Sequence, residues 1–268
     1  MCQRGDAELL GNENHIVLAL ENIINNAQFF AGRRKGSRPE KNARIAVEVE
    51  SEGAYVRYRV YNRGPHIDTE TAAKLFQLGF STRRQKEHHG KGLGLYFVHE
   101  IIKGYDGSVH FINVENRPDV LSLRLAMANG EVITDVIELL VVDGKPLCRR
   151  TGSEEAVTEL EWQLADELAS IEITHQSDQK TYPFKGEVIT NGGDLLDPTQ
   201  PAYPRWLLSN AFAGRRLQFR PLDIAGVEFQ LRLPTMAARL EGDLLGADEQ
   251  AMADQVDTIA SQFRVLEE

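Results

Sequence analysis

The stretch "GKGLGLYFVHEII", Gly90 to Ile102, opens as a loop almost bare of side chains and closes as an amphipathic helix. Gly90, Gly92 and Gly94 stand at alternate positions ahead of Leu95. Glycines so placed let backbone N–H groups come close to an anion, and the helix that follows adds its positive N-terminal end. The spacing is not that of a P-loop, because no Lys-Ser/Thr pair follows, nor does it match the dinucleotide-binding G-x-G-x-x-G. An anion is expected here, and its identity depends on what else the fold brings to it.

Upstream, Ile16, Leu20, Ile23, Ile24, Ala27 and Phe30 recur at three- and four-residue spacing, which predicts an amphipathic helix from His15 to Ala31. His15, Asn22 and Asn26 share a second face of it. Two carboxamides one turn apart can offer oxygens to a hard cation that also holds phosphates, although a solvated helix face reads the same way in isolation. Alternating Ile45, Val47, Val49 and then Val56, Tyr58, Val60 predict a β-hairpin joined at "ESEGA". It delivers Asn62 to the turn "YNRGPHID", where a short polar side chain beside Gly64 suits the edge of a planar base, or simply a hairpin exit. "TETAAKLF" reads as a short helix capped by Asp68 or Thr69, and "STRRQKEHHGKG" as a polar loop. A second hairpin is expected from "SVHFINV" and "VLSLRLAM" around "ENRPD". The order predicts a two-layer α/β sandwich, a mixed sheet with helices on one face.

Composition narrows the partners. With 40 acidic against 30 basic residues and a net charge of -10, the chain is repelled by phosphate backbones and anionic lipid, so neither nucleic acid nor a membrane surface is an expected partner. Only Cys2 and Cys148 are present, too few for a disulfide framework or a four-cysteine zinc site, and Cys148 reads as a small core or surface residue. No apolar run approaches the ~20 residues of a membrane span, and "MCQRGDAELL" lacks a signal-peptide core, which leads to a cytoplasmic expectation.

Taken in order, "ENIINNAQFF", "NRGPHI", "LFQLGFSTRR" and "GKGLGLYFVHEI" resemble the N, G1, F and G2 boxes of the ATP-binding catalytic (HATPase) domain of bacterial sensor histidine kinases, in the GHKL ATPase superfamily with its Bergerat-type fold. The resemblance covers about residues 12 to 128. It implies ATP and Mg²⁺ as ligands, with Asn26 on the metal and Asn22 as its catalytic partner near the γ-phosphate. It also implies Asn62 and Gly64 at the adenine, Phe30 stacked on the base, Phe76 and Phe80 anchoring a lid of residues 81–89, and Gly90, Gly92, Gly94 and Leu95 around the triphosphate. The activity implied is an ATP-dependent protein histidine kinase whose partners are a phosphoacceptor histidine domain outside this chain and a response regulator. A stand-alone ATPase or serine kinase, or a non-catalytic scaffold, are the alternatives. Two departures stand out: Asn62 replaces the family's usual Asp, and Phe29 stands where a phosphate-binding Lys is common, leaving Arg33, Arg34, Arg83 or Arg84 to supply charge. Adjacent His88 and His89 in the polar loop read as solvated.

Residues 1–130 are thus expected as the ATP-binding domain and 131–268 as a C-terminal α+β region. In the latter, "EVITDVIELLVV" reads as a buried strand, Val157, Leu160, Leu164, Leu168 and Ile171 as a helix, and "RRLQFRPLDIAGVEFQLRLP" as a hairpin. "EVITNGGDLLDPT" resembles "RVYNRGPHIDTET", so a degenerate duplicate, with Asn191, Gly192 and Gly193 as a relic turn, stands beside the reading of two unrelated sheets. Met252, Val256, Ile259, Phe263 and Leu266 predict a closing amphipathic helix that docks on the body or pairs with a second copy.

Overall fold

The computed structural model describes residues 2–4, 8–9, 11–31, 45–82, 92–175, 178–183, 189–190, 205–211 and 215–243. In chain order these form β1 (Cys2–Arg4), α1 (Glu13–Phe30), β2 (Ile45–Glu52), β3 (Tyr55–Arg63), α2 (Thr69–Lys74), α3 (Gly94–Gly104) and β4 (Ser108–Val114). A run of strands follows: β5 (Asp119–Met127), β6 (Val132–Val142), β7 (Lys145–Arg150), β8 (Leu160–Gln163), β9 (Leu168–His175), β10 (Asp178–Pro183), β11 (Ile189–Thr190), β12 (Trp206–Ala211) and β13 (Arg216–Pro221). The chain then enters β14 (Gly226–Pro234) and α4 (Met236–Asp243).

It divides into two compact units, residues 1–114 with 226–268, and residues 115–225. The expected division at 130/131 is therefore corrected at both ends. In the first unit the sheet order is β1-β2-β3-β14-β4, with β1 parallel to β2 and the other neighbours antiparallel. Val60, in register with both Val47 and Phe229, and Phe229, in register with Phe111, form one apolar row across the sheet. The same face carries Val227, Leu231 and Leu233, which pack with Ala19, Ile23 and Ala27 of α1 and Phe97, Val98, Ile101 and Ile102 of α3. Both helices are thus laid on one face, as expected. The residues of opposite parity make a charged face, on which Arg59 pairs with Glu48, and Arg57 with Glu50 and, at 2.8 Å, Glu52.

Two expected local pairings are wrong for one reason. β4 does not pair with β5: its neighbour is β14, with Val114 opposite Gly226. β13 likewise pairs with β12 and β8, not with β14. "VLSLRLAM" and "VEFQLRLP" both alternate, so proximity in sequence favours the first as partner for β4, whereas the apolar row facing α1 and α3 is completed by the second.

The second unit, where described, is built of strands, and the helix of residues 131–268, α4, belongs to the first unit. Two sheets, β10-β9-β5-β6-β7 and β11-β12-β13-β8, share one core: Leu121, Leu123, Leu125 and Ile171 of the first meet Trp162, Trp206, Leu217 and Phe219 of the second. The helix expected through Val157 to Ile171 is instead β8 and β9, whose alternation (Leu160, Trp162; Ile171, Ile173) fills that core. β6 is a strand as expected, though Val132, Val141 and Val142 are exposed. Cys148 is fully buried, and burial pushes its thiol up to about 12, so it serves as a core residue. Asn191, Gly192, Gly193 and the tail from 244 lie outside the described residues.

Candidate functional site

α1 runs from an Asn12 cap, whose side chain accepts from the Asn14 N–H. Its His15 is not part of the polar stripe. The ring is buried, with Nδ1 2.6 Å from the Tyr105 hydroxyl, which also accepts the Asn12 N–H at 3.1 Å. His15 thereby ties the start of α1 to the end of α3. From two turns further on, the same helix opens onto a cavity of about 750 Å³ with Asn22, Asn25, Asn26 and Phe30. Ala19, Ile23 and Ala27 fix that orientation, because they are buried on the adjoining face.

The other walls come from distant parts of the sequence. Asn62, only 3 % exposed, reaches the cavity from the end of β3. Val227 and Phe229 of β14 and Leu75 close its apolar side. Pro65 to Asp68 form a lip that is pinned from β4: the Asn113 carboxamide accepts the Ile67 N–H at 3.0 Å and donates to the Ile67 carbonyl at 2.8 Å, and His66 Nε2 donates to the Val114 carbonyl at 2.8 Å. Asp68 caps α2, and the Thr71 N–H and hydroxyl hold its carboxyl below the ordinary value.

Gly92, Leu93, Gly94 and Leu95 bring the start of α3 to the same cavity. The N-cap residue Leu93 makes no side-chain cap bond, so the first N–H groups of α3 keep donor capacity for an anion. Gly92 has φ +71°, and a Cβ there would lie 2.4 Å from the Gly79 backbone, whose N–H donates to the Gly92 carbonyl at 3.1 Å. A Cβ on Gly94 would lie 2.6 Å from Asn22 Oδ1, so the asparagine of α1 and the glycine of α3 are in direct apposition. The amide of Asn22 is held there by its own Nδ2, which donates to the Leu18 carbonyl at 2.9 Å.

The structure thus collects Asn22, Asn26, Asn62, Phe30, Phe80, Gly92, Gly94 and Leu95 at one cavity. Gly64 is not among the residues that line it. A Cβ there would stand 2.8 Å from the Phe30 carbonyl, so this glycine lets the turn pack on the end of α1. Phe76 joins the helix-face core, its ring 5.6 Å from that of His99. Phe29, at the position where a lysine is common, stacks edge-on against Phe30 at 4.9 Å. Gly90, Arg33, Arg34, Arg83, Arg84, His88 and His89 lie outside the described residues. Sequence reading missed Asn25, adjacent to the named pair and signalled by "NN", and missed Val227 and Phe229, whose strand lies beyond residues 115–225. Among the described residues there is no cluster of three or more His, Cys, Asp or Glu side chains fit for a metal, and no helix is long and apolar enough to cross a membrane.

Comparison with known proteins shows what the segment resembles. Residues 11–129 match the family described as histidine kinase-, DNA gyrase B- and HSP90-like ATPase. A probable C4-dicarboxylate sensor kinase of Halalkalibacterium halodurans is 27% identical over 116 residues, 43% of this chain and 20% of the relative. The sensor protein CreC of Escherichia coli is 30% identical over 107 residues, 40% of this chain and 21% of the relative. The chain therefore spans about a fifth of the length of these relatives. Among solved structures, the catalytic domain of histidine kinase ThkA is 30% identical, with 43% of this chain and 70% of that one covered and a TM-score of 0.35. The family match runs on through β5, a strand of the second unit. Residues 11–129 thus match the histidine kinase-, DNA gyrase B- and HSP90-like ATPase family and are similar in sequence to part of these sensor kinases.

Proposed function

We propose that the cavity binds Mg·ATP and that the chain passes the γ-phosphoryl group to a histidine on a phosphoacceptor domain outside it, from which a response regulator is phosphorylated in the cytoplasm. The observation that carries this reading is the apposition of Asn22 and Gly94 in a cavity that also holds Asn26 and Asn62. Neutral carboxamide oxygens suit a cation whose charge is balanced by phosphates, so Asn26, with Asn22 beside it, fits Mg²⁺, which when bound would neutralise charge developing on the phosphoryl oxygens. The chain's own contribution is placement. The α3 N-terminus and the Gly92 backbone orient the phosphates, Asn62 and Phe30 hold the base, and the buried walls of Val227 and Phe229 exclude water.

Two measurements test it. Mg·ATP at a hundredfold its dissociation constant should stabilise the chain by ~2.7 kcal/mol in a thermal melt. Asn26→Ala should abolish the dependence of that shift on magnesium, and an unchanged shift would remove the metal assignment. Radiolabelled ATP, with and without an added phosphoacceptor domain, should label the acceptor. Release of inorganic phosphate without labelling would instead identify an ATPase.

A further inference from the structure

Asn62 carries more information than base contact alone. Its carboxamide is 3 % exposed and lines the cavity, yet its one hydrogen bond among the described residues is long, Nδ2 to the Arg63 carbonyl at 3.5 Å. A buried carboxamide ordinarily has its donors and acceptor paired, so the open capacity here points to a ligand group. Adenine presents an amino donor beside a ring-nitrogen acceptor, whereas guanine presents the O6 acceptor beside the N1–H donor. A carboxamide, with one oxygen and one N–H side by side, meets either pattern. For adenine, Oδ1 accepts from the amine and Nδ2 donates to the ring nitrogen. For guanine, a half-turn of the terminal amide sets Nδ2 on O6 and Oδ1 on N1–H, giving up only the long bond to Arg63. An ionised carboxylate in this position accepts at both oxygens. It takes the adenine amine but confronts guanine O6 with a second acceptor.

Building on the nucleotide reading of the cavity, we propose that Asn62 makes this a purine site of low base discrimination, which binds Mg·GTP alongside Mg·ATP. The cavity, about 750 Å³, falls within the size range that accommodates a nucleotide with either base. Isothermal titration of the full chain with each nucleotide provides the test. The expected result is a pair of dissociation constants within about tenfold of each other, and Asn62→Asp should weaken GTP relative to ATP by a further factor of about ten or more. Tight ATP with GTP more than tenfold weaker in the unaltered chain overturns the inference and leaves the nucleotide reading standing, as does an Asn62→Asp variant that keeps the original ratio. Binding of neither nucleotide removes both. Should the buried carboxylate of Asn62→Asp prevent folding, the ratio in the unaltered chain decides alone.

Discussion

A single methyl group separates two glycines with different duties. At Gly94 an added Cβ meets the Asn22 amide oxygen, a side chain that can swing away, whereas at Gly92 it meets the Gly79 backbone at φ +71°. Gly94→Ala is therefore expected to leave the melting temperature nearly unchanged and weaken ATP about tenfold by displacing Asn22. Gly92→Ala should cost stability itself, on the order of 1–3 kcal/mol. Paired melts and titrations of the two variants check this, and equal loss of stability in both would show that Asn22 does not yield. At this scale much of the site was legible, because carboxamides a helical turn apart and alternating glycines are local patterns. Gly64 does not line the cavity, and in sequence a glycine turn looks the same whether it faces a ligand or the Phe30 carbonyl. Nothing in the spacing of "HIVLALENIINN" could separate His15 from Asn22 and Asn26 either: only the Tyr105 hydroxyl, ninety residues away, shows that the histidine faces a partner inside the fold.

Helices α1 and α3 and the β2–β3 hairpin were readable because each carries its own period. The partner of β4 was not, since register depends on which strand completes the apolar row under the helices, and that choice is made by packing far from the local sequence. The opposite face of the same strand poses a different question. Glu228 of β14 is buried, and desolvation, opposed by the Gln230 amide and by Arg59 and Arg57, raises its carboxyl above the ordinary value. The folded state therefore holds this proton more tightly than the unfolded chain does, so the group's contribution is greatest below the unfolded value of 4.5 and diminishes as pH rises through the folded one. Glu228→Gln should accordingly raise the melting temperature at pH 7, with the gain shrinking toward pH 4. A lower melting temperature at pH 7 would mean that contacts with the arginines outweigh the cost of burial.

Across the whole molecule, the unit of residues 115–225 leaves from Val114 and returns at Gly226, and these two residues are cross-strand partners. No periodicity announces such an excursion, and the sequence places the natural break after a plausible hairpin instead. Joining Val114 to Gly226 through Asn-Gly, a favoured two-residue turn, should yield a protein that melts cooperatively and keeps the Mg·ATP shift. Loss of both would mean that β14 needs the second unit in order to find its place. Within that unit the two ends are themselves fastened, the Asn116 side chain accepting the Ile224 N–H at 2.9 Å and donating to Asp223 at 2.9 Å. A detour that starts and stops one strand apart asks nothing of the sheet it interrupts. Its contents can change in length or sequence while β14, at the floor of the cavity, keeps its pairing with β4.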